Sequence, residues 1–138
     1  MEDFGEVIAY PTVQQICEAN RRLIEHKEFG GLFMEPANML NPDALFYILN
    51  AVQSSIDGIP VYLTLKEKAG AMAYHIISRH VFYDGNKRTG LYVAWMFLRA
   101  NGIEIHFDKS EVELARVIAN KEATQEDLLQ WLHNHQTE

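Results

Sequence analysis

Apolar residues recur at every third or fourth position along most of the chain, which is the spacing of one face of an α-helix. Val13, Ile16, Cys17, Leu23 and Ile24 form the first stripe, predicted to stop before Gly30-Gly31, although Asn20 and Arg21 interrupt it. Leu45, Ile48, Leu49, Val52 and Ile56 form a second, which predicts a helix from Pro42 to about residue 57. Leu65, Ala69, Met72, Ile76 and Ile77 form a third, running to about Arg79. From Leu91 to Leu98 the chain is apolar on every side. A helix of that kind is normally enclosed by others, so the one predicted from Asn86 to Ala100 should be the central element. Two further helices are predicted at Ser110 to Asn120 and at about Glu126 to His133.

The starts and stops agree with this division. Ser or Thr followed three residues later by Glu or Gln stands at Thr12–Gln15, Thr64–Glu67 and Ser110–Glu113. In such a box the first side chain caps the helix and the last reaches back. Asn41-Pro42 offers a cap followed by a proline at the first helical position, where no amide is missed. Asn101-Gly102 is a stop signal. Gly58 to Leu63 is different: Pro60 opposes a helix and its neighbours are β-branched or aromatic, so an edge strand or flap is expected there, and Ile103 to Phe107 suits a short extended turn. The pattern as a whole predicts an all-α domain spanning residues 1–138: a compact bundle of about six helices around a buried central helix, with a short β flap.

Composition narrows the function. The 138 residues carry a formal net charge of -7, from 12 basic and 19 acidic side chains, so a broad nucleic-acid-binding surface is not expected and any anion site must be local. The lone Cys17 has no disulfide partner and falls in an apolar helical pattern, where a buried thiol in a reducing compartment is expected. The start Met1-Glu2-Asp3-Phe4 lacks the positive charge and apolar run of a secretory signal, and no apolar stretch is long enough for a bilayer. A cytoplasmic address without a membrane partner is the expectation.

Candidate chemistry is concentrated between the third stripe and the all-apolar helix, in His80-Val81-Phe82-Tyr83-Asp84-Gly85-Asn86-Lys87-Arg88-Thr89-Gly90. Gly85 permits a tight turn and close approach of a ligand, and the residues after it supply the unpaired amides of a helix N-terminus, which attract an anion. Lys87 and Arg88 stand where cations are disfavoured unless an anion such as phosphate compensates. Asp84 is a hard oxygen ligand of the kind that holds Mg²⁺ against nucleotide phosphates. His80 can be a neutral base near pH 7, accepting the proton of an attacking hydroxyl. Phe82 is expected to anchor the loop to the core. His75 is expected to pack, and His133-Asn134-His135 to be a frayed polar tail.

Taken together, His80, Phe82, Asp84, Gly85, Asn86 and Arg88 reproduce the signature of the Fic/Doc superfamily: His, any residue, Phe, any residue, Asp or Glu, Gly, Asn, any residue, Arg. The resemblance extends more loosely through Gly30-Gly31-Leu32 to the last helix. Lys87 stands where Fic adenylyltransferases usually have Gly, and Leu91 where they have a second Arg. Both departures make the chain more similar to the Doc (death-on-curing) toxin branch.

That resemblance implies a kinase-like transferase with ATP or another nucleoside triphosphate and Mg²⁺ as cofactors. Lys87 would fill the pocket of the α-phosphate, so that the nucleotide binds reversed and its γ-phosphate faces a protein hydroxyl. It further implies His80 as base, Asp84 as metal ligand, and Gly85, Asn86, Lys87 and Arg88 as phosphate cradle. Translation elongation factor Tu is the implied substrate. The flap residues Ile59, Val61 and Tyr62 are candidates for pairing with the acceptor by strand addition. The inhibitory string of self-restrained Fic proteins (Ser or Thr, three residues, Glu, then Gly or Asn) does not occur, so a separate antitoxin, folding onto the toxin as a helix, is the expected partner. The alternatives are a Fic-type nucleotidyltransferase and a catalytically weak binding protein of the same fold.

Overall fold

The structure, a computed structural model, describes residues 7–26 and 33–138. Six helices carry the fold: α1 Val13–Glu25, α2 Pro42–Ala51, α3 Leu65–Ser78, α4 Asn86–Ala100, α5 Ser110–Ala119 and α6 Gln125–Asn134. A two-stranded antiparallel hairpin, β1 Ser55–Ile56 and β2 Ile59–Pro60, follows α2. The expected all-α bundle is thus observed. The helix α3 packs against α2, α4, α5 and α6, and α4 packs against α1, α3 and α5. Both form the centre: every residue from Lys68 to Ala73 of α3 is buried, as are Val93, Ala94, Phe97 and Leu98 of α4. No helix among the described residues is long and apolar enough to cross a membrane.

Local signals set most helix starts. Thr12 and Thr64 make complete capping boxes with Gln15 and Glu67. A third box, Thr124 with Asp127, opens α6 one residue before the predicted start, with Asp doing the work expected of Glu or Gln. The box expected at Ser110 does not form. Lys109, in a left-handed conformation, precedes α5; Glu111 accepts its N–H, and Ser110 Oγ instead donates to Asp108 and accepts from Trp131 Nε1. Asn41 also fails to cap α2 with its side chain, which donates to the carbonyl of Arg79 at the end of α3.

Two boundaries differ from expectation. The helix α2 stops at Ala51 rather than near residue 57, and Ile56 belongs to β1. Asp57 and Gly58 have φ of 51° and 81°, the two positive values of a tight hairpin turn, and this turn overrides the continued apolar spacing. Of the predicted extended run Gly58 to Leu63, only Ile59–Pro60 is strand. The first helix ends at Glu25, and Gly30-Gly31-Leu32 lie outside the described residues. Lys68 is buried with its ammonium donating to the Val52 carbonyl, a cation placed at the negative end of α2 that ties α2 to α3.

The C-terminal segment is not frayed. Ile105 bridges to Gln136, and the His135 ring stacks on Trp131 at 3.8 Å while its Nε2 meets Asp108 Oδ2 at 2.9 Å. His75 packs as expected: its Nδ1 lies 3.0 Å from the Ala71 carbonyl, its ring meets Tyr47 and Tyr74, and burial lowers its pKa. Cys17 is half-buried, and burial raises its pKa.

Candidate active site

The segment from His80 to Arg88 leaves α3 and enters α4, and both ends of it are strained or specialised. His80 has φ +50° just past the helix end, and Val81 N–H returns to the Ile76 carbonyl. That is the termination motif in which glycine is usually found at the left-handed position. A β-carbon there costs on the order of 1 kcal/mol, so the fold gains nothing from histidine at this place.

Val81 and Phe82 then dive into the core, fully buried. Phe82 forms a bridge with Met39, and the carbonyl of Val81 accepts from the amides of Leu40 and Asn41. The side chain of Asn86 closes the loop from the other side. Its Oδ1 accepts from Phe82 N–H and its Nδ2 donates to the Phe82 carbonyl, both at 2.8 Å. Asn86 was expected in the phosphate cradle; its carboxamide is committed to the loop, and its backbone N–H lies in the opening turn of α4.

Gly85, with φ +81°, immediately precedes α4. A β-carbon there would meet Asn20 Nδ2 at 2.9 Å and Ile24 Cγ1 at 3.0 Å, so neither the backbone angle nor the space admits another residue. Its N–H donates to Asp84 Oδ1 at 2.8 Å. Asn20 of α1 and Asn38, both buried, reach the same peptide from beneath. Asn20 Nδ2 donates to the Asp84 carbonyl at 3.0 Å and to Thr89 Oγ1 at 3.0 Å; Asn38 Nδ2 donates to that carbonyl at 3.2 Å and to Asn20 Oδ1 at 2.9 Å. These two asparagines were not singled out from the sequence. The one available signal was Asn20 breaking an otherwise apolar stripe, since a buried carboxamide must find partners.

A cavity of about 520 Å³ opens over this turn. The loop and the first turn of α4 supply His80, Tyr83 and Asp84 through Arg88, and the rest of the lining is apolar: Ile77, Leu91, Val112, Ala115 and Ala119. Thus His80, Asp84, Gly85, Asn86, Lys87 and Arg88 are brought to one place, while Phe82 serves as the buried anchor. The flap residues are elsewhere. Val61 and Tyr62 line a separate hollow of about 270 Å³ together with Glu67, Gly70 and Leu129. Ile59 is exposed on the hairpin.

The electrostatics favour an anion. The helices α2, α3, α5 and α6 carry an acidic residue in the first turn; α1 and α4 have none, and α4 begins Asn86-Lys87-Arg88, with two cations in succession. The amides of that turn have no intrahelical acceptor by geometry and stand at the positive end of the dipole. Two cations placed there repel it, at a cost of about 0.3–1 kcal/mol each, and a bound phosphate reverses the sign.

Among known proteins, the chain is 35% identical over 74 residues to Toxin Doc of Mycolicibacterium smegmatis, in an alignment that takes in 54% of this chain and 56% of that protein. The similarity therefore spans about half the length of that curated relative. The family model described as Fic/DOC family matches residues 10–98, from just before α1 almost to the end of α4, including the whole loop over the cavity. With more than half of its length so matched, the chain belongs to the Fic/DOC family.

Proposed function

We propose that the protein is a Doc-like toxin of a toxin–antitoxin system, a transferase that moves the γ-phosphoryl group of ATP or another nucleoside triphosphate to a threonine or serine hydroxyl of a protein. The observation that carries this reading is the convergence of His80, Asp84 and the Gly85–Arg88 turn on a single cavity at the start of α4. The acceptor oxygen attacks the γ-phosphorus, the bond from that phosphorus to the β,γ-bridging oxygen breaks, and the nucleoside diphosphate leaves. The hydroxyl proton passes to the imidazole of His80. Lys87, Arg88 and the opening amides of α4 hold the phosphate oxygens and stabilise charge on the transferring group.

Asp84 is the residue that would hold Mg²⁺. One carboxylate beside cations and helix amides suits an ion that keeps most of its ligands as water and phosphate oxygen, and the described residues contain no group of three or more His, Cys, Asp or Glu able to cage a metal by themselves. Mg²⁺, when bound, neutralises phosphate charge.

Lys87 and Leu91, the two positions that depart from the adenylyltransferase pattern, both line the cavity, which favours phosphoryl over nucleotidyl transfer. Translation elongation factor Tu is the proposed substrate, and a separate antitoxin the proposed partner, in keeping with the likeness to Toxin Doc. The test is incubation with elongation factor Tu and ATP labelled at either the α or the γ position. Label from the γ position alone on the acceptor is expected; label from the α position points to nucleotidyl transfer, and no label from either overturns elongation factor Tu as the acceptor. A His80→Ala variant that stays as growth-inhibitory as the parent would identify a binder.

A further inference from the structure

The contact that makes glycine obligatory at position 85 also removes the freedom that glycine brings. Gly85 can adopt many backbone angles, and a glycine peptide next to a helix start flips readily unless something holds it. Here the oxygen of the Asp84–Gly85 peptide is held on the inner side by two buried carboxamides, Asn20 at 3.0 Å and Asn38 at 3.2 Å. A peptide is planar and trans, so fixing its oxygen inward fixes its N–H on the opposite side. On that side the Gly85 N–H meets Asp84 Oδ1 at 2.8 Å, at the wall of the cavity.

The asparagines are themselves over-determined. Asn38 Oδ1 accepts from Met34 N–H at 2.9 Å, the Asn38 carbonyl accepts from Tyr83 N–H at 2.9 Å, and Asn20 Nδ2 also reaches Thr89 Oγ1 in the first turn of α4. Asn38 has φ +58°, one of the angles that Asn tolerates better than other side chains. A structural need to fill the core would be met by apolar residues; two buried carboxamides aimed at one carbonyl are explained by what that carbonyl orients.

We infer that Asn20 and Asn38 are positioning residues, which hold the Asp84–Gly85 peptide with its N–H and the Asp84 carboxylate facing the cavity and so set the geometry in which a polyphosphate is bound. This rests on the phosphate reading of the cavity given above. Asn20→Asp is nearly isosteric and keeps the acceptor for Asn38, but it removes both donated hydrogen bonds and sets a carboxylate against the Asp84 carbonyl. Thr89→Val is the control, because it removes one bond of Asn20 and leaves those to Asp84. Where Asn20→Asp fails to fold, Asn38→Gly takes its place, since glycine accepts the positive φ.

The probe is sodium tripolyphosphate with Mg²⁺, titrated while the Gly85 amide resonance is followed by NMR in each folded protein. In the parent and in Thr89→Val the Gly85 amide is expected to shift on titration. In Asn20→Asp or Asn38→Gly that response is expected to be lost and the apparent affinity to fall about tenfold or more, the scale of losing one good hydrogen bond. Parent-like affinity together with a parent-like shift of the Gly85 resonance on titration, in a folded asparagine variant, overturns the inference alone. Failure of the parent to bind tripolyphosphate overturns the phosphate reading, and the inference with it.

Discussion

His80 stands in a backbone conformation that a glycine would occupy more comfortably, at the end of a helix whose termination needs no imidazole. That separates the two roles of the residue. His80→Gly is expected to raise stability by about 1 kcal/mol, through relief at a left-handed position, while abolishing transfer to the acceptor. Thermal unfolding alongside the labelled-ATP assay checks both halves. A variant less stable than the parent would mean that the ring serves the fold. The alanine variant is less informative, since it keeps the β-carbon and its strain.

Position 90 decides how closely α3 and α4 approach. A β-carbon on Gly90 would lie 2.7 Å from Ile77 Cγ1 and 3.0 Å from the Ala73 carbonyl oxygen. Alanine in place of glycine inside a helix ordinarily stabilises by about 1 kcal/mol, but overpacking a core costs roughly 1–3 kcal/mol, and a backbone oxygen cannot rotate aside. Gly90→Ala is therefore expected to lower the urea midpoint, with a net loss on the order of 1 kcal/mol; an unchanged or raised midpoint would show that the helices can part without cost.

The lock between α6 and the loop before α5 should respond to pH. Asp108 is held below the usual carboxylate range by the hydroxyl and amide of Ser110 and then by His135. Burial pulls the pKa of His135 down, but its bonds to the Trp131 carbonyl and to Asp108, with the charges of Asp108 and Glu111, leave it raised. The His135 contribution is complete below its ordinary value of 6.5 and fades as pH climbs through the raised value. That of Asp108 is complete above its ordinary value of 3.8 and fades as pH falls through the depressed one. The melting-temperature gap between the parent and Asp108→Asn should be widest between these two ordinary values and should narrow, without closing, as pH rises through the raised value of His135. A gap independent of pH would assign the stabilisation to the Ser110 bonds alone.

At these two scales the sequence is legible mainly where partners are close along the chain, although the box read at Ser110 gives way to the bonds of Asp108 and Trp131. Thr12 and Thr64 cap as read because their partners lie three residues away. The His80–Arg88 loop was legible for the same reason, as a contiguous string. Asn20 was not, because its partners Asp84 and Thr89 are distant in sequence and nothing near Asn20 announces them. Ile56 was misread since its spacing fits a helix, while the turn that claims it depends on two positive backbone angles just beyond. His135 reads as tail because its partner Asp108 lies 27 residues upstream.

Seen whole, the molecule keeps its candidate chemistry and its exposed hairpin apart. Ile56 and Ile59 are 69% and 64% exposed, and the hairpin contributes none of the residues lining the cavity over α4. If the hairpin receives the acceptor by strand addition, Ile59→Asp should abolish labelling of a protein acceptor while leaving tripolyphosphate binding unchanged, by calorimetry on the same sample. Loss of both would tie the hairpin to the cavity, and loss of neither would leave the acceptor to dock elsewhere.

The apolar wall contributed by α5 ends in two small side chains, Ala115 and Ala119, and this modest detail has practical reach. Enlarging Ala119 to a bulky aromatic would plug the chamber from its far wall, with every residue of the opposing loop still in its native form. The result would be a silent twin: outwardly the same protein, dead inside. Set beside the parent in living cells, such a twin would tell whether any growth inhibition depends on an open chamber or only on the outer surface.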